Sequence, residues 1–298
     1  MNIQYQRSSS PVLSPVFSIL IPTWNNLAFV KLCVESIQKN STYAHQIVLH
    51  LNDGHDGTLE WAKQQGLDFS YSPQNVGICY ACNAAASLAM ANYILYMNDD
   101  MYACPNWDKN LWQAIKEYGQ DDFYFSATMI EREASDWGCV AAPHNYGHSV
   151  ESFQEAALLA DYQKLAIPDW QGANYPPSVM HRRMWQLIGG FSVEFSPGMY
   201  SDPDICRKLW AAGVRNFRGV GSSLVYHFMS KSIGRVQKND GARQFFRKWG
   251  ISSRTFFDFY LRFYNHGRDS AYKGILAEPV DNQAFRFKKI KDRVKYWF

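Results

Sequence analysis

Between residues 16 and 97 the chain alternates short apolar runs with helical periodicities, joined by segments only a few residues long. Residues 16–21 form a β-branched apolar run closed by Pro22, which reads as a buried strand stopping at a loop. In 28–38 the residues Phe29, Val30, Cys33, Val34 and Ile37 recur at three- and four-residue steps, the mark of one buried helical face. A second strand over 46–51 ends in the turn-rich run 52–57, after which Thr58 is placed to cap a helix over 58–64 that stops at Gly66. Residues 69–72 give a third strand, Asn75-Val76-Gly77 a turn, 80–91 an alanine-rich helix and 93–97 a fourth strand. This alternation predicts an α/β fold, a Rossmann-like and mostly parallel sheet with helices on both faces. Ligands of such sheets bind beyond the carboxyl ends of the strands, so the loops 23–26, 52–57 and 98–101 are the candidate site.

The second half is less regular. Residues 137–200 are rich in aromatics and glycine and read as loops with a smaller, partly antiparallel sheet. A helix over 205–212 stops at Gly213, and the apolar run 224–226 precedes His227. The expected division is a flexible segment 1–15, a first half over 16–110, a second half of the same domain over 111–250, and a helical extension 251–298. With 298 residues, 47% of them hydrophobic and 19% charged, burial can offset ordering entropy, which excludes intrinsic disorder. No apolar run approaches the roughly 20 residues needed to span a bilayer. The first fifteen residues lack the charged, apolar and small-residue regions of a secretory signal. Six scattered cysteines fit a reduced, cytoplasmic setting; Cys79 and Cys82 have the spacing of a redox or zinc pair, but no second pair completes four ligands. His144 and His148 read as loop residues because Asn145, Tyr146 and Gly147 between them oppose a helix.

Asn98-Asp99-Asp100 directly follows an apolar strand, and adjacent carboxylates in a ligand crevice either form a solvated turn or attract a hard cation. Asp202 and Asp204 flank Pro203 before a helix. Capping and compensation of the helix dipole account for Asp204, whereas Asp202 is better placed as a general base. His227 is a metal ligand, a base or a satisfied core histidine on spacing alone.

In order along the chain these signals resemble the family 2 glycosyltransferases with the GT-A fold. The run 17–25, ending Pro22-Thr23-Trp24-Asn25, is similar to the family's opening strand and its Pro-Thr-Tyr-Asn. Residues 52–60 resemble its Asp-x-Gly-Ser-x-Asp-Gly-Thr loop, and Asn75-Val76-Gly77 with Asn83 resembles its Asn-x-Gly and following Asn. Asn98-Asp99-Asp100 stands at its Asp-x-Asp, Gly189-Gly190-Phe191 and Asp202-Pro203-Asp204 at its Gly-Gly-Phe and Glu-Asp-x-Asp, and Val225-Tyr226-His227 at its late Val-x-His.

The resemblance implies inverting transfer of a sugar from a nucleotide diphosphate, a UDP-sugar first, to a glycan or lipid-linked glycan acceptor in bacterial-type surface glycan synthesis. Thr23, Asn52 and Asp53 would border the base and Asp99 the ribose, with Pro22, Asn25, Asn75, Gly77, Asn83 and Asn98 also at the donor. Asp100 and His227 would hold Mn²⁺ or Mg²⁺ on the diphosphate, and Asp202 would take the acceptor proton. Four positions depart from the pattern: Asn52 stands for the usual aspartate facing uracil, Asn98 for the first Asp of Asp-x-Asp, Cys82 for a basic residue, and Ser201 for glutamate. The alternative they leave is a degenerate sugar-nucleotide or glycan binder. A nucleotidyltransferase is disfavoured because Pro22-Thr23-Trp24-Asn25-Asn26 is neither glycine-rich nor basic.

Further candidates at the substrate are Trp170 as a stacking platform, Asp204, and Ser230, Lys231 and Arg235 in the basic segment 230–238. From Met229 onward there are 16 Lys and Arg against 6 Asp and Glu. No nucleic-acid module accompanies this charge. Phe287, Ile290, Val294, Trp297 and Phe298 form one helical stripe with Lys288, Lys289, Lys291, Arg293 and Lys295 around it. That pattern fits either peripheral contact with an anionic membrane at its cytoplasmic face or packing on the domain.

Overall fold

The structure is a computed structural model that describes residues 2–135, 138–197, 199–230, 239–263 and 270–297. The chain opens with β1 (Gln4–Gln6), β2 (Phe17–Trp24), α1 (Leu27–Asn40), β3 (Gln46–Asn52), α2 (Thr58–Gln64), β4 (Asp68–Ser72), α3 (Ile78–Ala86) and β5 (Tyr93–Tyr96). There follow β6 (Met101–Ala103), α4 (Trp107–Tyr118), β7 (Phe123–Ile130), β8 (Val140–Ala141), α5 (Glu155–Asp161), β9 (Trp170–Gln171) and β10 (Ser178–His181). The last elements are α6 (Arg182–Ile188), α7 (Ser201–Ala211), β11 (Asn216–His227), α8 (Gly241–Trp249), α9 (Ser253–Phe256) and α10 (Gln283–Trp297).

All strands join one 11-stranded sheet in the order β1-β4-β3-β2-β5-β10-β7-β11-β6, with β8 beside β7 and β9 beside β11. β2, β3, β4 and β5 are parallel to their neighbours in this group, as the strand–helix alternation requires. β10 is inserted antiparallel between β5 and β7, so the sheet is mixed at its centre. The separate acceptor-side sheet expected over 137–200 does not form among the described residues; β8, β9 and β10 extend the single sheet instead. Within 1–15, expected to be flexible, β1 pairs antiparallel with the edge strand β4.

Pro22 does not end the first long strand, which continues to Trp24. Leu20 faces β5, its carbonyl accepting the Met97 amide, and pairing of β2 with β5 stops there. Pro22, two residues on, points its missing donor to the same vacated side, so the ladder with β3 runs on undisturbed. The alanine-rich helix begins at Ile78 and ends at Ala86, shorter than 80–91, and α7 begins at Ser201 rather than 205. Pro203 is accommodated in the first turn of α7, where no intrahelical donor is needed. The core lies on both faces of the sheet, with Val30, Cys33, Val34 and Ile37 of α1 and Leu111, Ala114 and Ile115 of α4 buried in it.

Candidate active site

Two strand registers assemble the centre of the site. β6 runs antiparallel to β11 with Met101 opposite His227, which brings Asp100 alongside the histidine. β7 runs parallel on the other side with Ile130 beside Tyr226, so Glu131 follows level with His227. Asp100 Oδ1 lies 3.5 Å from His227 Nε2, and Glu131 Oε1 lies 2.7 Å from Nδ1. Asp100 Oδ2 accepts the Ser230 amide at 2.8 Å. Burial opposes a charge on His227, but Asp100 and Glu131 outweigh it and hold the imidazole up at about 10. Burial likewise works against the Asp100 carboxylate, yet His227 and Ser230 keep it below its ordinary value.

Glu131 escaped the sequence reading because its strand did. The available signal was an ionisable residue immediately after the apolar run 123–130. Its carboxylate fixes one ring nitrogen of His227 and leaves Nε2 to face Asp100, where a bound cation would take the place of the Nε2 proton. Among the described residues no group of three or more His, Cys, Asp or Glu side chains is placed to hold a metal ion. A hard cation needs fewer, since it usually takes one or two protein ligands and completes its shell with phosphate and water. An Asp oxygen, an imidazole nitrogen and the Ser230 hydroxyl beside Asp100 fit that chemistry.

The three loops singled out from sequence meet at the same sheet edge. Asn25 Nδ2 donates to Asp53 Oδ2 at 3.0 Å, and Asn26 Nδ2 donates to Asp99 Oδ2 at 3.1 Å. Hydrogen bonds from His55 and from Asn25 draw Asp53 below its ordinary value. Thr23 Oγ1 and Asn25 Oδ1 are buried without a hydrogen-bond partner among the described residues, two acceptors left open in a polar loop cluster. Asn98 Oδ1 accepts the Tyr96 hydroxyl at 2.7 Å.

Other candidates serve the loops themselves. Asn52 is buried, and its Oδ1 faces the Val76 amide at 2.9 Å and Ser72 Oγ at 3.4 Å, so the oxygen expected to meet a base holds the next loop instead. Asn75 Oδ1 accepts the Gly77 amide at 2.9 Å. Gly77 has φ +79, and a Cβ there would lie 2.7 Å from Pro197 Cα, which seats the turn against the segment before α7. Asn83 binds the Phe191 backbone twice, its Oδ1 accepting the amide at 2.9 Å and its Nδ2 donating to the carbonyl at 2.8 Å. Two of the motifs read from sequence, the Asn after Asn-x-Gly and the Gly-Gly-Phe, are thus one clamp.

Asp202 occupies the first turn of α7, partly exposed. Its carboxylate makes no hydrogen bond or ion pair among the described residues, and desolvation pushes it up to about 7. Its charge reaches Tyr96 and Cys82, and Tyr96 also feels Asp100, which links the two halves of the site. Asp204 has a different duty. It is 0% exposed, 2.9 Å from Lys248 Nζ, and accepts Trp249 Nε1 at 2.8 Å, so it ties α7 to α8 and has no face for substrate. Trp170, 1% exposed, is a core residue and not a sugar platform: its ring covers Gly219 and its Nε1 donates to Thr128 Oγ1 at 2.9 Å. Cys79 and Cys82 are buried free thiols, and burial pushes Cys79 up to about 12. Lys231 and Arg235 lie outside the described residues, as does the rest of 231–238.

This sheet, with its polar loops and the Asp100–His227 pair at one edge, has the frame of the GT-A-like fold. Residues 18–166 match Glycosyl transferase family 2, and the chain belongs to that family. It is 24% identical over 255 residues to an uncharacterized protein, y4gI, of Sinorhizobium fredii, covering 79% of this chain but only 27% of the length of that protein. TarS 1-349 of S. aureus in complex with UDP-GlcNAc superposes with a TM-score of 0.52 at 14% identity, covering 81% of this chain and 74% of that one. The mannosyltransferase PcManGT of Pyrobaculum calidifontis in complex with GDP-Man and Mn²⁺ gives 0.52 at 15% identity, covering 77% and 61%. At such identities the solved structures share the fold.

Proposed function

We propose that the protein transfers a sugar from a nucleotide diphosphate sugar to an acceptor hydroxyl, with inversion at the anomeric carbon. The observation that carries this reading is the Asp100–His227 pair at the carboxyl edge of the sheet, backed by Glu131. Asp100 and His227 would hold Mn²⁺ or Mg²⁺. When bound, the cation supplies Lewis-acid stabilisation of the charge on the departing diphosphate. Thr23 and Asn25 would offer open acceptors to the base, for which uridine is the first choice, and Asp99, held by Asn26, would meet the ribose.

Asp202 takes the proton from the acceptor hydroxyl as that oxygen attacks. A carboxylate that protonates near neutrality is matched to this task, and one without internal partners is free to receive the proton. The acceptor is a glycan or lipid-linked glycan of a surface polymer, met at the cytoplasmic face of the membrane. No helix of the described residues is long and apolar enough to cross a membrane.

Calorimetry of UDP, GDP and their sugars, in Mn²⁺ and in chelator, tests the reading. Nucleotide diphosphate binding that strengthens in Mn²⁺ and weakens in Asp100→Ala supports it. Affinities equal in Mn²⁺ and chelator for both proteins overturn the metal role of the pair.

A further inference from the structure

α10 is attached by one face only. Phe285 packs on Phe259 and Tyr260, and Tyr296 stacks on Phe246. Between them Asp292, 4% exposed, accepts the Ser252 amide at 2.7 Å and the Thr255 hydroxyl at 2.6 Å. Ser252 is the N-cap of α9, so this carboxylate locks the rotation of α10 about its own axis.

At about 100° per residue, Phe287, Ile290 and Val294 fall on the side opposite Asp292. They are 69%, 57% and 63% exposed, so the stripe anticipated from sequence turns away from the domain. Trp297 and Phe298, which the sequence places on the same stripe, have side chains outside the described residues. Burying an aspartate while leaving Phe, Ile and Val in water reverses the ordinary preference of those residues. Exposed Lys291 and Lys295 border the stripe on one flank, and exposed Arg286 and Arg293 on the other. Arg286 pairs with Asp281 and Lys295 lies over the Tyr296 ring, whereas Lys291 and Arg293 have no ion pair among the described residues.

A second copy meeting this face about a two-fold axis would set cation against cation on both flanks, a costly arrangement. An anionic bilayer has the complementary order, with acyl chains for the stripe and phosphate headgroups for the flanking cations, toward which long basic side chains reach outward. We propose that this face of α10 lies in the interface of an anionic lipid bilayer and holds the protein peripherally on the membrane.

The test is co-sedimentation of the full chain with phosphatidylglycerol vesicles and with phosphatidylcholine vesicles, at low and high ionic strength. Binding is expected to the anionic vesicles and to fall at least about tenfold on uncharged vesicles or in high salt. Phe287→Ser/Ile290→Ser/Val294→Ser should lose that binding with an unchanged melting temperature, since these side chains are already in water. Lys291→Glu/Arg293→Glu, which leaves every apolar side chain in place, should lose it independently. Equal binding of wild type and both variants overturns the proposal. So does absence of binding to anionic vesicles, whether the protein is then monomeric or forms a dimer, by light scattering, that the triple serine variant abolishes.

Discussion

Glu131 and His227 lie 96 residues apart in sequence and 2.7 Å apart in the fold, carboxylate oxygen to Nδ1. Glu131 is a positioning residue, acting on any cation only through the histidine. Glu131→Ala is expected to weaken Mn²⁺-dependent UDP binding about 10–100-fold, and Glu131→Gln, which keeps an acceptor oxygen, to restore most of it. Calorimetry in Mn²⁺ and in chelator separates this from a folding defect, because metal-independent binding should be the same in all three proteins.

Asp202→Asn should lower transfer about 10²–10⁴-fold while leaving donor affinity intact. In the wild type, transfer should fall as pH drops below about 7, where the carboxylate takes up its proton. The same shift has a sign for stability. The folded state holds this proton more tightly than the unfolded chain, so the contribution of Asp202 becomes less favourable as pH rises from near 4 through 7. Asp202→Asn should therefore melt higher than wild type at pH 8, by about 2–4 °C per kcal/mol relieved, and the gap should close toward pH 4. A variant as active as wild type, or a gap that widens in acid, would contradict the assignment.

Asp204, two residues away, should behave in the opposite manner. Asp204→Ala leaves the Trp249 indole without its acceptor beside a buried void, while Lys248 keeps Glu194 and Ser192. Leaving a buried donor without its acceptor costs about 1–3 kcal/mol, so a fall in melting temperature is expected, measured by scanning calorimetry. Protein that stays folded should retain its pH profile.

Trp170→Ala should destabilise the fold by about 3–5 kcal/mol without a specific effect on acceptor affinity. Gly219→Ala tests the same packing from below, because its Cβ would lie 1.8 Å from the Trp170 ring. Denaturant unfolding should show both variants weakened; a stable Trp170→Ala with impaired acceptor binding would return the residue to the substrate.

The parallel half of the sheet was legible because buried strands and one-sided helices leave periodic apolar residues, and that periodicity survives even where Pro22 suggests a stop. Asp100 and His227 were legible as charges at the ends of apolar runs. Their conjunction was legible only through the family resemblance and not from any local pattern, since it depends on β6 reaching β11 from far away in the sequence. Asn52 and Asn83 show the limit from the other side. Both stand where a donor-binding amide belongs, yet both are engaged by backbone groups, Val76 and Phe191, that no local pattern reveals. Trp170 fails for a related reason: an indole reads the same whether its partner is a sugar or the α-carbon of Gly219.

The separation of β5 from β6 also has a consequence in time. The two strands are successive in the chain, yet β10, β7 and β11 lie between them in the sheet. As the polypeptide leaves the ribosome, β2 to β5 can pair at once, whereas β6 has no partner until β11 emerges. The Ser230 amide that meets Asp100 is 130 residues downstream of it. Long-range closure of this kind is slow, because loop entropy must be paid before the contact forms. The protein therefore acquires the parallel half of its sheet first and its chemistry last, and a nascent chain stalled before β11 would display Asp100 beside an unpaired strand.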